Sequence, residues 1–163
     1  MGIKRIVFVC TGNSCRSVMA QAVMRHTLAQ RGLGSIVVES AGVLAVNGMG
    51  ATRETQTVLR AAGLDGSRHH ARALSSDMIE AADLLLVMEP FHAQQILRRA
   101  PSAAGKVHLL KTYGLTNDPS IANPQIPDPI GKPLEVYEVC FNEIREAVER
   151  VAEALCEHGP HPS

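Results

Sequence analysis

The segment 10–17, Cys-Thr-Gly-Asn-Ser-Cys-Arg-Ser, most constrains how this chain can fold. A short apolar run at 6–9 precedes it and is typical of a buried strand. The uninterrupted stretch 17–31 follows, is rich in Ala, Met, Gln and Leu, and predicts a helix. A polar loop between a strand and a helix wraps the helix N-terminus, where free backbone N–H groups and the helix dipole favour an anion. The segment therefore predicts an anion-binding loop.

Two side chains of this loop carry chemistry. Cys10 lies where the positive end of a helix stabilises a thiolate, the nucleophilic form of cysteine. Arg16 follows after five intervening residues and offers a planar guanidinium that can hold two phosphate oxygens at once. The chain lacks G-x-x-x-x-G-K-[ST], and no G-x-G-x-x-G follows the strand. These residues indicate a phosphate site with a nucleophile rather than a nucleotide-binding loop.

Strand-like and helix-like runs alternate along the 163 residues. The predicted strands are 3–9, 36–40, 84–88 and 107–109, and the predicted helices are 17–31, 51–62, 75–81, 90–100 and 133–156. The alternation predicts a single-domain α/β fold, with a parallel four-stranded sheet flanked by helices on both faces and the phosphate-binding loop directly after the first strand. The apolar stripe of the last helix is expected at positions 136, 139, 140, 144, 148, 151 and 155.

Composition excludes several classes of partner. Lys plus Arg (16) equals Asp plus Glu (16), so no net charge attracts nucleic acid or an anionic membrane. No apolar run is long enough to span a membrane, and the N-terminus shows no signal peptide. Cys10 must stay reduced to act, and the four cysteines show no regular disulfide spacing, so a cytoplasmic location is expected. The sequence does not give the oligomeric state, and a monomer is favoured.

The histidines do not indicate a metal. His69 and His70 are adjacent in sequence, so their side chains project in different directions, and no third ligand has suitable spacing. We interpret them as structural residues, with the backbone of the phosphate-binding loop as a hydrogen-bond partner. No metal site and no cofactor are expected.

The loop signature resembles that of the low-molecular-weight protein phosphatases, V-C-x-G-N-x-C-R-S. The matching residues are Val9, Cys10, Thr11, Gly12, Asn13, Ser14, Cys15, Arg16 and Ser17. Further similarities are found at 40–42, 69–72, 82–88 and 128–129, and the resemblance ends at about residue 156. Val18 departs from the pattern, since the family usually has proline there. The resemblance implies a phosphatase domain at 1–157 and a C-terminal tail at 158–163.

The resemblance also implies a mechanism. Cys10 would attack phosphorus to form a phosphocysteine intermediate, while Arg16 and the loop amides hold the phosphate oxygens. Phosphorylated protein side chains would be the substrates. The residues expected to bind substrate are Thr11, Gly12, Asn13, Ser14, Cys15, Ser17 and Ile130. Ser17 is expected to hydrogen-bond the thiolate, and Asn13 to hold the loop with a left-handed backbone.

A phosphoryl transfer to cysteine needs an acid for the leaving atom and then a base for water. The long loop 111–132 contains two Asp-Pro pairs, which begin at Asp118 and Asp128. Asp128 lies just before the last helix, where the family carries its acid, and Pro127 restricts the loop before it. We therefore predict that Asp128 is the general acid and base, and we interpret Asp118 as a turn residue.

Two positions bear on the choice of substrate. Relatives that act on phosphotyrosine usually read Asp-Pro-Tyr and commonly carry a bulky apolar residue at the Ser14 position. The bacterial protein-arginine phosphatases have threonine there. This chain has Ser14, Ile130 in place of the aromatic residue, and no tryptophan. The pattern favours phosphoarginine, and phosphotyrosine is the alternative.

Two other functions fit the residues less well. Arsenate reductases on this scaffold need two further cysteines near the middle of the chain, but none lies between Arg16 and Cys140. A non-catalytic phosphate-binding module would be expected to lose Cys10, Arg16 or Asp128, and all three are present. Cys15 suggests regulation instead, since a reversible disulfide with Cys10 could protect the nucleophile under peroxide.

Overall fold

The computed structural model describes residues 2–115 and 123–157. Within these ranges the chain forms β1 (Arg5–Cys10), α1 (Arg16–Gln30), β2 (Val37–Gly42), α2 (Arg53–Ala61), α3 (Ser76–Ala81), β3 (Leu84–Val87), α4 (Pro90–Arg99), β4 (Val107–Leu109) and α5 (Leu134–Glu157). A 3₁₀ helix that the sequence did not predict, Pro101–Lys106, precedes β4. The predicted strands and helices are otherwise present, with ends shifted by about one or two residues.

The four strands form one parallel sheet in the order β2-β1-β3-β4. Side chains alternate between the faces of the sheet, because successive residues of a strand point to opposite sides. Ile6 and Phe8 of β1 pack with α1 and α5 on one face, whereas Val7 and Val9 pack with α3 and α4 on the other. The predicted α/β fold with helices on both faces is confirmed.

The termini of several helices follow from their capping residues. The Thr52 hydroxyl accepts the backbone N–H of Thr55 at the start of α2, and the Ser75 hydroxyl accepts that of Met78 at the start of α3. Such caps satisfy backbone donors that lack an intrahelical partner. Pro90 occupies the first turn of α4, where its missing N–H is not needed.

The predicted apolar stripe of α5 was wrong at its N-terminal end. Val136 and Val139 are 41% and 60% exposed, whereas Tyr137 and Phe141 are buried. The aromatic side chains bury more apolar area than valine, so they turn the first half of the helix to face α1 and α2. From Ile144 onward the stripe follows the prediction, with Leu155 partly buried.

Two expectations fall outside the described residues, namely the turn role of Asp118 and the tail at 158–163. In the described part of the chain, no helix is both long and apolar enough to cross a membrane.

Candidate active site

The loop between β1 and α1 places Cys10, the predicted nucleophile, beneath a helix N-terminus. Cys15 is the N-cap of α1 and makes no side-chain capping hydrogen bond, so the first-turn N–H groups remain available to an anion. Cys10 is the last residue of β1, and its Sγ accepts the backbone N–H of Asn13 at 3.3 Å. The loop therefore surrounds the sulfur with donors.

Ser17 acts on the sulfur from the first turn of α1. Its Oγ lies 2.9 Å from Cys10 Sγ and accepts a hydrogen bond from Asn13 Nδ2 at 2.8 Å. Because the amide donates to Oγ, the serine proton is directed to the sulfur. The predicted contact between Ser17 and Cys10 is present.

Asn13 holds the loop in place from below. It has φ = 54°, the left-handed backbone predicted for it. The backbone carbonyl oxygen of Asn13 accepts a hydrogen bond from His69 Nε2 at 2.6 Å, and its side-chain Oδ1 accepts one from the backbone N–H of Arg72 at 2.9 Å. His69 is thus the structural histidine that the sequence predicted, bonded to the loop backbone.

The end of β2 packs directly on the loop. The N–H groups of Val43 and Leu44 donate to the carbonyls of Cys10 and Thr11 at 3.0 and 2.9 Å. A Cβ at Gly42 would lie 2.4 Å from the carbonyl oxygen of Thr11, so only glycine allows this approach.

Arg16 is 1% exposed and is held by three elements. Its Nη1 donates to Glu89 Oε2 at 2.9 Å and to the carbonyl of Ile126 at 2.7 Å. Its Nη2 lies 3.4 Å from Thr11 Oγ1 and 3.6 Å from Asp128 Oδ2. The guanidinium is therefore fixed before a phosphate arrives, which lowers the cost of ordering it on binding.

Glu89 and His92 were missed by the sequence prediction. Glu89 N–H donates to His92 Nδ1 at 3.1 Å, so the ring proton lies on Nε2, which is 2.9 Å from Thr11 Oγ1. Burial, assisted by the nearby Arg16, lowers the pKa of His92 to about 4 and keeps the ring neutral. The available signal was position: Glu89 follows β3 at the carboxyl edge of the sheet, where ligands bind in such folds.

Asp128 is brought to the nucleophile loop as predicted. Its Oδ1 accepts the backbone N–H of Ile130 at 3.1 Å, and its Oδ2 faces Arg16. The side chain is 37% exposed, so it can meet both a leaving group and water. Its geometry is compatible with a general acid and base.

The other residues predicted to bind substrate fall into a buried group and a group at the surface of the site. Asn13, Cys15 and Ser17 are buried, and the side-chain hydrogen bonds of Asn13 and Ser17 support the loop. Thr11, Gly12 and Ser14 are half-buried at the loop surface. Ile130 is 56% exposed beside Asp128 and can contact a substrate.

Cys15 faces the interior. Its Sγ lies 3.6 Å from Thr52 Oγ1 and 3.7 Å from the Tyr137 hydroxyl, and burial raises the pKa of Tyr137 to about 12. Tyr137 is thus a packing residue rather than a wall of the substrate pocket. Both Cys10 and Cys15 are free thiols, and the disulfide between them stays a prediction.

Residues 5–160 match the family model described as low molecular weight phosphotyrosine protein phosphatase. The chain belongs to this family. A protein-arginine-phosphatase of Geobacillus stearothermophilus is 36% identical over 151 residues, which is 93% of this chain and 95% of that protein. A low molecular weight protein-tyrosine-phosphatase of Streptomyces coelicolor is also 36% identical, over 149 residues and 88% of each chain.

Solved structures agree with this assignment. The YwlE arginine phosphatase with a phosphorylated active-site serine superposes on this phosphatase with a TM-score of 0.85 at 31% identity, covering 93% of this chain and 95% of that one. In that relative a serine replaces the active-site cysteine, and this serine carries a phosphate. The phosphate therefore marks the position of the nucleophile in that protein. This phosphatase is a cysteine-based member of the same family.

Proposed function

We propose that this phosphatase hydrolyses phosphoarginine in proteins, with Cys10 as nucleophile, Arg16 as phosphate ligand and Asp128 as general acid and base. The observation that carries the assignment of roles is the convergence of three elements on one point: the β1–α1 loop, the buried guanidinium and the carboxylate 3.6 Å from it. A nucleophile, a cation and an acid grouped in this way support in-line phosphoryl transfer as the reaction.

The first step forms a bond between sulfur and phosphorus. The Cys10 thiolate attacks phosphorus while Arg16 and the loop N–H groups hold the three equatorial oxygens. The bond from phosphorus to the leaving atom breaks, and Asp128 gives its proton to that atom. For phosphoarginine the leaving atom is a guanidine nitrogen, which departs as part of neutral or protonated arginine.

The second step releases phosphate. Asp128, now a carboxylate, takes a proton from water, and the resulting oxygen nucleophile attacks phosphorus. The sulfur leaves as a thiolate, which the Ser17 hydroxyl stabilises from 2.9 Å. Inorganic phosphate then departs and the enzyme returns to its starting state.

Two features support phosphoarginine as the substrate. Ser14 is small and half-buried at the loop surface, so it leaves room and a hydroxyl for a polar guanidinium. Ile130 follows the Asp-Pro pair instead of an aromatic residue, so stacking on a phenyl ring, about 0.5–1.5 kcal/mol for a ring pair, is lost. Phosphotyrosine is the second candidate, because the Streptomyces relative named as a tyrosine phosphatase is as similar as the Geobacillus one.

The test is kcat/KM on peptides of one sequence that carry either phosphoarginine or phosphotyrosine, with Cys10→Ala as the blank. We expect higher kcat/KM on phosphoarginine. Ser14→Ile should reverse the preference and Ser14→Thr should preserve it, which makes the threonine variant the matched control. A wild-type preference for phosphotyrosine would refute the substrate assignment, and a phosphoarginine preference that Ser14→Ile leaves unchanged would refute the role given to Ser14.

The remaining proposals concern the cellular location, the partners, the oligomeric state and the exclusion of arsenate reduction. A mechanism that needs a reduced Cys10 supports action in the cytoplasm, and balanced charge supports phosphoproteins rather than nucleic acid as partners. A monomer stays a prediction, and light scattering after gel filtration measures it.

Burial raises the pKa of Cys140 to about 12, which makes that thiol a poor relay cysteine for arsenate reduction.

A further inference from the structure

A cavity of about 630 Å³ lies behind the phosphate-binding loop, at the open edge of the sheet. α1, the edge strand β2 and the segment 64–72 form its walls. We call it the edge cavity, and the mechanism described above does not use it. Its volume is within the range of about 300–1,000 Å³ that is usual for small-molecule sites.

The edge cavity carries more positive than negative charge. Arg25, Arg68 and Arg72 line it, together with the carboxylates Glu39 and Asp65. Glu39 is already paired with Arg72 at 2.9 Å and with an arginine outside the cavity at position 5. These hydrogen bonds outweigh burial and hold the pKa of Glu39 below its ordinary value, so it remains an anion that needs no further cation.

Two arginines make no close ion pair, although the exposed Asp65 carboxylate acts on Arg68 from a longer distance. Among the residues that the structure describes, no carboxylate lies within 4.0 Å of Arg25 or Arg68. Arg25 uses Nε to donate to the carbonyl of Val38 at 3.0 Å, which directs its guanidinium along β2. Burial first, and then repulsion by Arg72, lower the pKa of Arg25, and the charge of Glu39 opposes this only in part. An anion in the cavity would relieve that repulsion.

Part of the remaining wall is apolar, beside the polar side chains of Gln21, Ser40, His69 and His70. Val18 and Ala22 on α1 face the cavity with Leu64 across from them, and Leu64 is also packed against the main core. A site with an apolar floor and an arginine rim fits a molecule that has both a ring or chain and a phosphate group, because arginine pairs with phosphate through two parallel hydrogen bonds.

We propose that the edge cavity binds a phosphate-bearing small molecule of about the size of a nucleotide, whose phosphates pair with Arg25 and Arg68 and whose apolar part packs on Val18 and Leu64. The site is separate from the catalytic one, since Cys10, Arg16 and Asp128 are not among the residues that line the edge cavity.

The pKa of His69, which lines the edge cavity, is expected to respond to binding there. The ring lines the edge cavity and bonds to Asn13 of the phosphate-binding loop through Nε2. Burial lowers its pKa, the bond to Asn13 opposes this, and the positive charges of His70, Arg72 and Arg25 lower it further. A bound phosphate beside these arginines therefore raises the pKa of His69, which NMR titration of the ring protons measures.

The experiment uses ADP as the probe with the active site already filled by benzylphosphonate at saturating concentration. Calorimetry should show ADP binding to the filled enzyme, and the pKa of His69 should rise in its presence. Arg25→Gln/Arg68→Gln should weaken ADP binding by about ten-fold or more and abolish the His69 response, while benzylphosphonate binds as before. Arg98→Gln/Arg145→Gln removes the same charge from exposed positions outside the cavity and should bind ADP like the wild type.

Four results would overturn the proposal. Benzylphosphonate could abolish ADP binding, which would place ADP in the active site. ADP could bind the Arg25→Gln/Arg68→Gln enzyme as tightly as the wild type, or bind without moving the pKa of His69, which would place it elsewhere. Inorganic pyrophosphate binding as tightly as ADP would remove the role given to Val18 and Leu64.

Discussion

Glu89 is the residue whose replacement tests the architecture of the phosphate site most sharply. Breaking a buried ion pair by removing one partner costs about 3–5 kcal/mol, because the other charge stays buried without compensation. The Glu89 side chain is 25% exposed, and Asp128 lies 3.6 Å from Arg16 Nη2 as a second counter-charge. We therefore expect Glu89→Ala to lower the free energy of unfolding by about 2 kcal/mol. Glu89→Gln, which keeps an acceptor oxygen for Nη1, should lose about 1 kcal/mol.

Urea unfolding at pH 7 measures these losses, with the exposed Glu80→Gln on α3 as the matched control. In a protein of this size a loss of 2 kcal/mol lowers Tm by about 4–8 °C. Added phosphate should stabilise Glu89→Ala more than the wild type, because the bound anion supplies the charge that Arg16 has lost. If both Glu89 variants unfold like Glu80→Gln, the ion pair does not hold Arg16 and the account of the site is wrong.

The other predictions concern the acid, a buried histidine and a glycine. Asp128→Asn should lower kcat by about 10²–10⁴-fold on a peptide substrate, and by less on p-nitrophenyl phosphate, whose leaving group needs little protonation; equal losses on both would argue against the acid role. Because the folded-state pKa of His92 is about 4 against an ordinary 6.5, the unfolded chain takes up a proton first as the pH falls. The free energy of unfolding should therefore decrease between about pH 6.5 and pH 4, by up to about 1.4 kcal/mol per pH unit, and the slope should flatten in His92→Gln. Gly42→Ala, which forces its Cβ against the Thr11 carbonyl, should weaken phosphate affinity and cost about 1–3 kcal/mol in urea unfolding, whereas Gly50→Ala, with open space around it, should do neither.

The nucleophile loop could be predicted from sequence because its chemistry is local. Cys10, Asn13, Arg16 and Ser17 lie within eight residues, and the strand and helix on either side have clear patterns. Their contacts depend on one turn and one helix N-terminus, which short-range rules describe. The left-handed backbone of Asn13 and the bond between Ser17 and Cys10 are therefore both found where they were expected.

Glu89 and His92 could not be predicted in the same way. Glu89 is 73 residues from Arg16 in the chain, and the two meet only because β3 pairs with β1 in the sheet. Strand order is a property of the whole fold, and the alternation of strands and helices does not define it. The phase of α5 was missed for a related reason: Tyr137 points inward because Cys15 and Thr52, from distant segments, receive it.

The identity of the nucleophile is the central claim, and rapid-quench mass spectrometry during turnover tests it most directly. The account predicts one phosphate on the peptide that contains Cys10, appearing within the first turnover and absent in Cys10→Ala. A phosphorylated residue other than Cys10, or turnover by Cys10→Ala at the wild-type rate, would contradict it.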